Sequence, residues 1–481
     1  MSGTLTTPER AVAPLAGAPR EPGGNGRGSP AAVRRQERPF ALSDCGNAEF
    51  YLATNGPHLR YCAGLGGWHR WDGARWERDE TGEALYRAQY AMKGLARQAV
   101  ETAEGRIDEE LLKHAIASQR EPRLRGLLAL AACERGIAVR AREFDADPWL
   151  LNCENGTLQL REGTLGKHDP GDLITKTTGV EYDADARSDL WDRVLETALP
   201  DPDVRAFFQC AAGYSLTGDV SEERLFLPLG PTATGKSTLL GALKYAMGDY
   251  ATTASFETFL HRPVNGGPRN DLAALKGARL VLSLETDAGV RLAEGVVKNI
   301  TGGDTVSARK LYGEPFEFRP SAKLWLVAND APRIRDDDAA MWRRVLRIPF
   351  DVTIPEGRRD PHLKEQLREP EHAAAILAWA VAGCQRWLKD GLRVPAAVKD
   401  ATATYHSDMD PLAPFLAEYC GLELGGRVAV GRLRDAYMEW AQRSGERRPL
   451  GAKEFNKRLR ALGIEQSKDG GVRSWEGLVL V

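Results

Sequence analysis

The sequence lacks any cysteine pattern that would hold a metal or a disulfide framework. Its seven cysteines, Cys45, Cys62, Cys133, Cys153, Cys210, Cys384 and Cys420, are odd in number, scattered, and form no C-x-x-C pair. With no histidine at ligand spacing beside them, they exclude a cysteine-rich zinc site and point to reduced thiols. Long apolar runs are missing too. Nothing approaches the roughly 18 residues that a membrane span needs, and the N-terminus has no apolar leader core, so no membrane partner is expected and the cytoplasm is the expected compartment. Nor does charge of one sign predominate: 65 Lys and Arg stand against 67 Asp and Glu, a formal net charge of -2. Any nucleic-acid contact must therefore come from local patches. What remains is ordinary globular composition, 42% hydrophobic and 27% charged, in a chain of 481 residues. That length exceeds one core and predicts two to four domains.

Within this composition one motif is complete. Residues 230–237 read Gly-Pro-Thr-Ala-Thr-Gly-Lys-Ser, a G-x-x-x-x-G-K-[ST] phosphate loop, after the apolar run Leu225-Phe226-Leu227-Pro228-Leu229 and before Thr238 and an apolar helix pattern. Its glycines let backbone N–H groups curl around phosphate oxygens, Lys236 neutralises the β- and γ-phosphates, and the Ser237 hydroxyl is offered to Mg²⁺. The cofactor-binding residues are thus Gly230, Pro231, Thr232, Ala233, Thr234, Gly235, Lys236, Ser237 and Thr238, and the expected ligands are ATP and Mg²⁺.

Such a site needs an acidic group at the end of a neighbouring buried strand. The run Leu280-Val281-Leu282-Ser283-Leu284 supplies it in Glu285, a metal ligand with Ser237, whereas Asp287 falls past the apolar stretch. A third apolar strand, Lys323-Leu324-Trp325-Leu326-Val327-Ala328, ends in Asn329, an amide able to orient water or sense a γ-phosphate. Further on, Trp342-Arg343-Arg344 offers paired arginines beside a strand, the chemistry of a finger that stabilises transition-state charge. Their alternative role is pairing with the acidic run Asp336-Asp337-Asp338.

Elsewhere the chain is modular. Residues 1–40, rich in Ala, Pro, Gly and Arg, predict a disordered tail. An aromatic hairpin with an Asp-Gly turn carries Trp68, Trp71 and Trp76, more fitted to a small core than to base stacking. Helical patterns fill 83–139 and 187–217, with a second hairpin signal around Asn155-Gly156 between them. Near the C-terminus a stripe of Val430, Leu433, Tyr437, Trp440 and Ala441, a second of Phe455, Leu459 and Leu462, and a terminal hairpin follow the order of a winged helix. From Arg443 to Arg460, seven basic residues face two acidic ones, so Lys453, Lys457 and Arg458 are candidate DNA contacts.

The motif order, with Lys298, Thr301-Gly302-Gly303-Asp304 and Ala308-Arg309 between Glu285 and Asn329, resembles superfamily 3 helicases. Specifically it is similar to the helicase half of phage and plasmid primases, a group that includes poxvirus primase-helicases. Upstream, Asp145-Ala146-Asp147-Pro148-Trp149, Asn155-Gly156 and Gly213-Tyr214-Ser215-Leu216-Thr217-Gly218 resemble that group's helical domain before the ATPase, so Asp145 and Asp147 form a turn and not a metal site. The resemblance implies an α/β fold: an AAA+-like superfamily 3 P-loop ATPase core with an N-terminal α+β/helical region and a C-terminal winged helix. Its domains would be a tail at 1–40, an α+β region at 41–140, a helicase-associated helical domain at 141–220, the ATPase core at 221–352, a helical extension at 353–410 and the winged helix at 411–481. It implies catalytic roles for Lys236, Glu285, Asn329 and Arg344. It also places Arg309, Lys310 and Tyr312 on a DNA-tracking hairpin, and gives Lys298 and Asp304 a structural role or one at the nucleotide. The implied activity is ATP-driven DNA unwinding at single strands and forks by a homo-oligomeric, hexameric ring, with a separate primase as a partner, in a prophage or plasmid of a bacterial host. Two other readings share the loop: an ATP-switched initiator or loader without unwinding, and a small-molecule phosphotransferase, which needs neither an intersubunit arginine nor a basic winged helix.

Overall fold

The computed structural model describes residues 39–101, 105–261, 269–284, 290–309, 313–335, 338–410, 412–444, 449–469 and 471–481. The expectations made for residues 1–38, Glu285, Asp287, Lys310, Tyr312, Asp336, Asp337, Arg447 and Arg448 lie outside these residues.

The apolar runs around the phosphate loop form one sheet. Its strands are β1 (Leu225–Leu229), β2 (Ala251–Ser255), β3 (Leu280–Leu284), β4 (Lys323–Val327) and β5 (Val345–Pro349), all parallel, in the order β5-β1-β4-β3-β2. Every residue of β1 and β4 is buried, as expected where both faces of a parallel sheet are covered. On one face Phe226, Trp325 and Ile348 meet helices α1 (Asp189–Ala198), α2 (Pro202–Leu216), α3 (Lys236–Met247) and α4 (Pro370–Asp390). On the other, Leu225, Leu324 and Val345 meet Phe259, Val297, Ile300, Met341 and Tyr405. The first face is dense in rings: Phe226 stacks on Trp325 with centroids 4.6 Å apart, and Phe208 stands edge-on to Trp325 at 5.5 Å.

This core crosses the boundaries expected at 220 and 352. The first-face cluster runs from Leu151 to Val398 and takes in α2 and α4, which lie outside the 221–352 segment. The helices touch at glycines: a Cβ on Gly213 would lie 2.0 Å from the Cys384 backbone nitrogen, and one on Gly383 2.1 Å from the Gln209 carbonyl oxygen. A second tie joins the linker after α2 to the sheet. Arg279, just before β3, donates to the carbonyls of Leu216 at 2.8 Å and Leu150 at 2.7 Å. Lys323, first in β4, donates to the carbonyls of Thr217, Asp219 and Ser321 and lies 5.0 Å from the Tyr214 ring centre. Two cations thus cap the negative end of the α2 dipole.

Upstream, the aromatic hairpin is the pair Gly67–Trp71 and Trp76–Arg78, extended by Leu59–Cys62. Trp76 is buried beside Cys62 and Phe144 with Trp71 against it, the small core expected. Helices Glu83–Val100, Glu109–Ser118 and Glu121–Ala131 follow. The Asn-Gly hairpin is Leu150–Cys153 with Gly156–Gln159, and Thr164–Gly166 adds a third strand. The D-x-D segment is a turn: Asp145, at φ 52°, accepts from the Thr175 N–H at 2.8 Å, and Asp147 from the Trp149 N–H at 2.8 Å.

The C-terminal unit has a core of its own, built on Phe415, Leu433, Tyr437, Trp440, Phe455 and Trp475. Its helices Val430–Arg443 and Ala452–Ala461 and hairpin Gln466–Asp469 with Val472–Leu480 match the sequence pattern. A strand at Cys420–Ala429 was not expected; it pairs with Val472–Leu480 and shifts register between Leu422 and Arg427. Its Gly421, Gly425 and Gly426 break the alternation that marks a strand, and the irregular register absorbs them.

Candidate functional site

β1 ends in buried Leu229, and the chain rolls through residues 230–235 into α3, with Gly235 as its N-cap at φ 89°. Ala233 is also left-handed, at φ 60°. The two left-handed residues turn successive N–H groups to one side, the nest that holds anions, at a helix N-terminus of positive partial charge. At Gly230 the constraint is close approach: a Cβ would sit 2.1 Å from the Phe350 carbonyl oxygen. The segment after β5 supports the loop again, where the Ile354 N–H donates to the Ala233 carbonyl at 2.8 Å.

Lys236 closes this cradle. Its ammonium donates to the carbonyls of Gly230 and Pro231, both at 2.6 Å, and to the Thr234 hydroxyl at 3.1 Å, while the residue is only 5% exposed. Burial pushes its pKa below the ordinary lysine value; an anion in the nest would return the charge to full favour. Ser237, on the first turn, is exposed, as are Pro231, Thr232 and Ala233, while Thr238 is half-buried. The loop therefore presents an open rim over a buried cation. Ringed by N–H donors, with a hard hydroxyl oxygen beside it, the cradle fits a triphosphate and a Mg²⁺ ion.

The sheet brings Asn329 to the same place. Leu229 bridges Ala328 across β1 and β4, so Gly230 and Asn329 leave the sheet side by side, with Asn329 exposed. On the far side of β4, Leu284 pairs with Val327, so β3 ends level with β4 where Glu285, outside the described residues, follows. Ser283 on β3 is fully buried, and its hydroxyl has no hydrogen-bond partner among the described residues.

Arg344 stands elsewhere. Its carbonyl accepts from the Leu225 N–H at 2.8 Å, at the amino end of β1. Five residues of strand separate that point from Gly230, about 16 Å at strand rise. The side chain, 14% exposed, pairs with Glu223 at 2.6 Å and donates to the Ala340 carbonyl at 2.8 Å. Its neighbour Arg343 is exposed, with no ion-pair partner among the described residues. Lys298 pairs with Asp338 at 2.8 Å, tying the Thr-Gly-Gly-Asp helix (Glu294–Thr301) to the short helix Ala339–Trp342 just before the two arginines. Burial alone would raise the Asp338 pKa, but hydrogen bonds from Lys298 and the Met341 N–H, with the Lys298 and Arg335 charges, hold it below the usual carboxylate value. Asp304 is exposed beyond that helix.

Of the expected DNA contacts, Arg309 is exposed on the hairpin Val306–Arg309 with Pro315–Phe318, its Nε donating to the Gly313 carbonyl at 2.9 Å. Lys453 and Lys457 are exposed, and with Arg460 they share one face of Ala452–Ala461. Arg458 differs. It is turned toward the core side, 13% exposed, and held by Asp410 at 3.0 Å and Glu454 at 3.4 Å. One step along a helix is 100°, enough to move it off the face of Lys457 and into a tether.

A phosphate loop at the carboxyl edge of a parallel sheet, where strands diverge around β1, defines an α/β P-loop protein. Three family models match it in succession: "D5 N terminal like" over residues 48–200, a family of unknown function (DUF5906) over 229–344, and "Poxvirus D5 protein-like" over 407–476. The first and last of these segments are thus similar to poxvirus D5-type proteins. Among viral proteins named as candidate helicases, one from Acanthamoeba polyphaga mimivirus is 29% identical over 300 residues, covering 58% of this chain and 31% of its own. Another, from Frog virus 3, is 26% identical over 303 residues, 58% and 30% of the two chains, and one from Sputnik virophage 22% over 284, 55% and 36%. These matches span about a third of the relatives' length. The apo structure of the NrS-1 C-terminal region aligns with 92% of this chain and 100% of its own at a TM-score of 0.52 and 12% identity, a likeness of fold.

Proposed function

We propose that this chain is the motor of a replicative DNA helicase of superfamily 3, with an AAA+-like core, hydrolysing ATP with Mg²⁺ as a homo-oligomeric ring. One observation carries the ring: Arg344 lies about 16 Å along β1 from its own phosphate loop, so the arginine that meets a γ-phosphate comes from a neighbouring subunit. In this reading residues 230–238 hold the triphosphate, Ser237 and Glu285 hold Mg²⁺, and Asn329 orients water beside Gly230. The bound Mg²⁺ supplies charge neutralisation at the β- and γ-phosphates. Arg309, with Lys310 and Tyr312, contacts the translocating strand. The C-terminal unit acts as a winged helix on duplex or fork, through Lys453 and Lys457, with Arg458 positioning the unit from behind. The names of the viral relatives support an unwinding role, and the phage or plasmid setting and a separate primase remain parts of the proposal.

ATP hydrolysis with and without single-stranded DNA, and displacement on a forked duplex, test it. Lys236→Ala is expected to lower hydrolysis by about 10²–10³-fold, the scale of losing one preorganised charge at a transition state. DNA-stimulated hydrolysis without displacement would favour the initiator or loader, and hydrolysis that needs a small phosphate acceptor would sink the motor. Mixing Lys236→Ala with Arg344→Ala subunits checks the shared site: activity recovered only at the one interface type carrying both native residues is expected, and simple dilution would mean an arginine acting in cis. The same mixing with Arg343→Ala decides which arginine reaches across. Arg343 has no ion-pair partner among the described residues, whereas Arg344 must first leave Glu223.

A further inference from the structure

One large cavity among the described residues lies apart from the nucleotide site. It is a cleft of about 880 Å³ between the N-terminal region and the core, floored at the amino ends of β3 and β4 by Arg279 and Ser321. The phosphate loop leaves the opposite edge of the same sheet. We propose that this cleft is a second contact surface for single-stranded nucleic acid, leading to the root of the hairpin that carries Arg309. The inference rests on the motor reading above and adds a surface that reading does not use.

Charge carries the argument. Five cations line the cleft: Arg279 on its floor, tied to the Leu216 and Leu150 carbonyls, and four more from separate segments, Arg142 from the N-terminal region, Lys176 from the loop after the three-stranded hairpin sheet, Lys276 before β3, and Arg319 after the Pro315–Phe318 strand. Arg142, Lys276 and Arg319 are exposed and Lys176 is half-buried. Among the described residues neither Arg142 nor Arg319 has an ion-pair partner. Lys176 donates to the Asp249 backbone carbonyl at 3.3 Å, and the Asp249 carboxylate is held by Arg75. Lys276 lies 5.3 Å from the Phe316 ring centre, on the hairpin itself. Two acids line the cleft. Asp145 is engaged by Thr175, through its N–H at 2.8 Å and its hydroxyl at 2.5 Å, which leaves Glu317 as the exposed one. The cleft is therefore net cationic in a chain of net charge -2. Concave walls of low dielectric focus that potential.

A polyanion suits this arrangement better than a single phosphate. The cations come from segments far apart in the chain, whereas in the phosphate loop one lysine and successive backbone N–H groups belong to a single turn. Their reach ends at Thr305 and Arg319, where the hairpin joins the core, so a strand leaving the hairpin would continue into the cleft. Grooves that track a nucleic-acid backbone in this way need charge and continuity, not base-specific contacts.

The test is fluorescence anisotropy of a labelled oligothymidylate with the full chain, over a series of salt concentrations, for wild type and the triple variant Arg142→Gln, Lys276→Gln, Arg319→Gln. Each lost phosphate contact lowers the slope of log K against log salt by about 0.7, so the slope is expected to fall by about 2 and affinity by about 10-fold or more near 0.1 M salt. DNA-independent ATP hydrolysis and thermal melting are expected to stay at wild-type values, since all three side chains are exposed. Wild-type affinity and slope in a folded triple variant overturn the inference and leave the motor reading standing. A wild-type chain that binds no oligothymidylate sinks both. If instead inorganic triphosphate binds Lys236→Ala in a way the triple variant abolishes, the cleft is a small-anion site and the nucleic-acid inference fails.

Discussion

At the residue scale, buried cations do two different jobs. Lys236 faces a cradle open on one side, whereas Lys323 is enclosed, its three N–H donors shared among the carbonyls of Thr217, Asp219 and Ser321. Burial pushes the Lys323 pKa well below the ordinary value, with the Arg279 charge adding to the shift. The Asp219 carboxylate acts the other way and favours a retained charge. Lys323→Met leaves those carbonyls without a donor and is expected to lower stability by about 3 kcal/mol or more, at 1–3 kcal/mol for each buried group left unpaired. The pH dependence has a definite sign. Folding holds this amine below its unfolded value, so between the folded pKa and about 10.4 the unfolded chain binds more protons, and stability rises with pH across that window. Melting curves of wild type and Lys323→Met from neutral pH upward check it: the wild-type advantage should grow with pH, and a constant gap would show an amine of ordinary pKa. Lys236 was legible from the motif because eight residues in a row spell its chemistry. Lys323 was not, because a lysine opening an apolar strand looks like a solvated strand end until α2 arrives above it.

At the scale of elements, the pairing of α2 and α4 decides whether the parts act as one body. Gly213 and Gly383 allow backbone contact between helices about 170 residues apart, and each added Cβ would meet backbone, not a flexible side chain. Gly213→Ala is therefore expected to destabilise by about 1–3 kcal/mol, the usual overpacking cost, although alanine favours a helix intrinsically. Chemical denaturation measures it, and a stabilised variant would show that the helices can separate at no cost. The signal was visible as a glycine inside an apolar helical pattern, but nothing local names the partner. The same limit applies to Cys420–Ala429: its glycines hide a strand that only the C-terminal hairpin stabilises.

For the whole molecule, the separate core of the C-terminal unit makes it removable. A chain ending at residue 410 loses the Asp410–Arg458 pair and the cluster built on Phe415 and Trp475 while keeping both faces of the central sheet. It is expected to hydrolyse ATP at the wild-type basal rate while its affinity for forked duplex falls about 10-fold, through loss of the phosphate contacts proposed for Lys453 and Lys457. Equal affinity of the two chains, measured by anisotropy, would remove DNA contact from the role of this unit. The sequence by itself determined the phosphate loop, the strands on either side of it, the order of the motifs and the stripes of the C-terminal helices. Each of these is written in contiguous residues whose spacing follows one backbone period. Only the tertiary structure decided the rest: that Asn329 emerges beside Gly230, that Arg344 stands at the far end of the sheet, that Arg458 turns inward, and that Arg142, Lys176, Lys276 and Arg319 share one cleft. Those relations depend on strand order and helix packing, which join residues distant along the chain, and no local pattern of side chains encodes a distance across the fold.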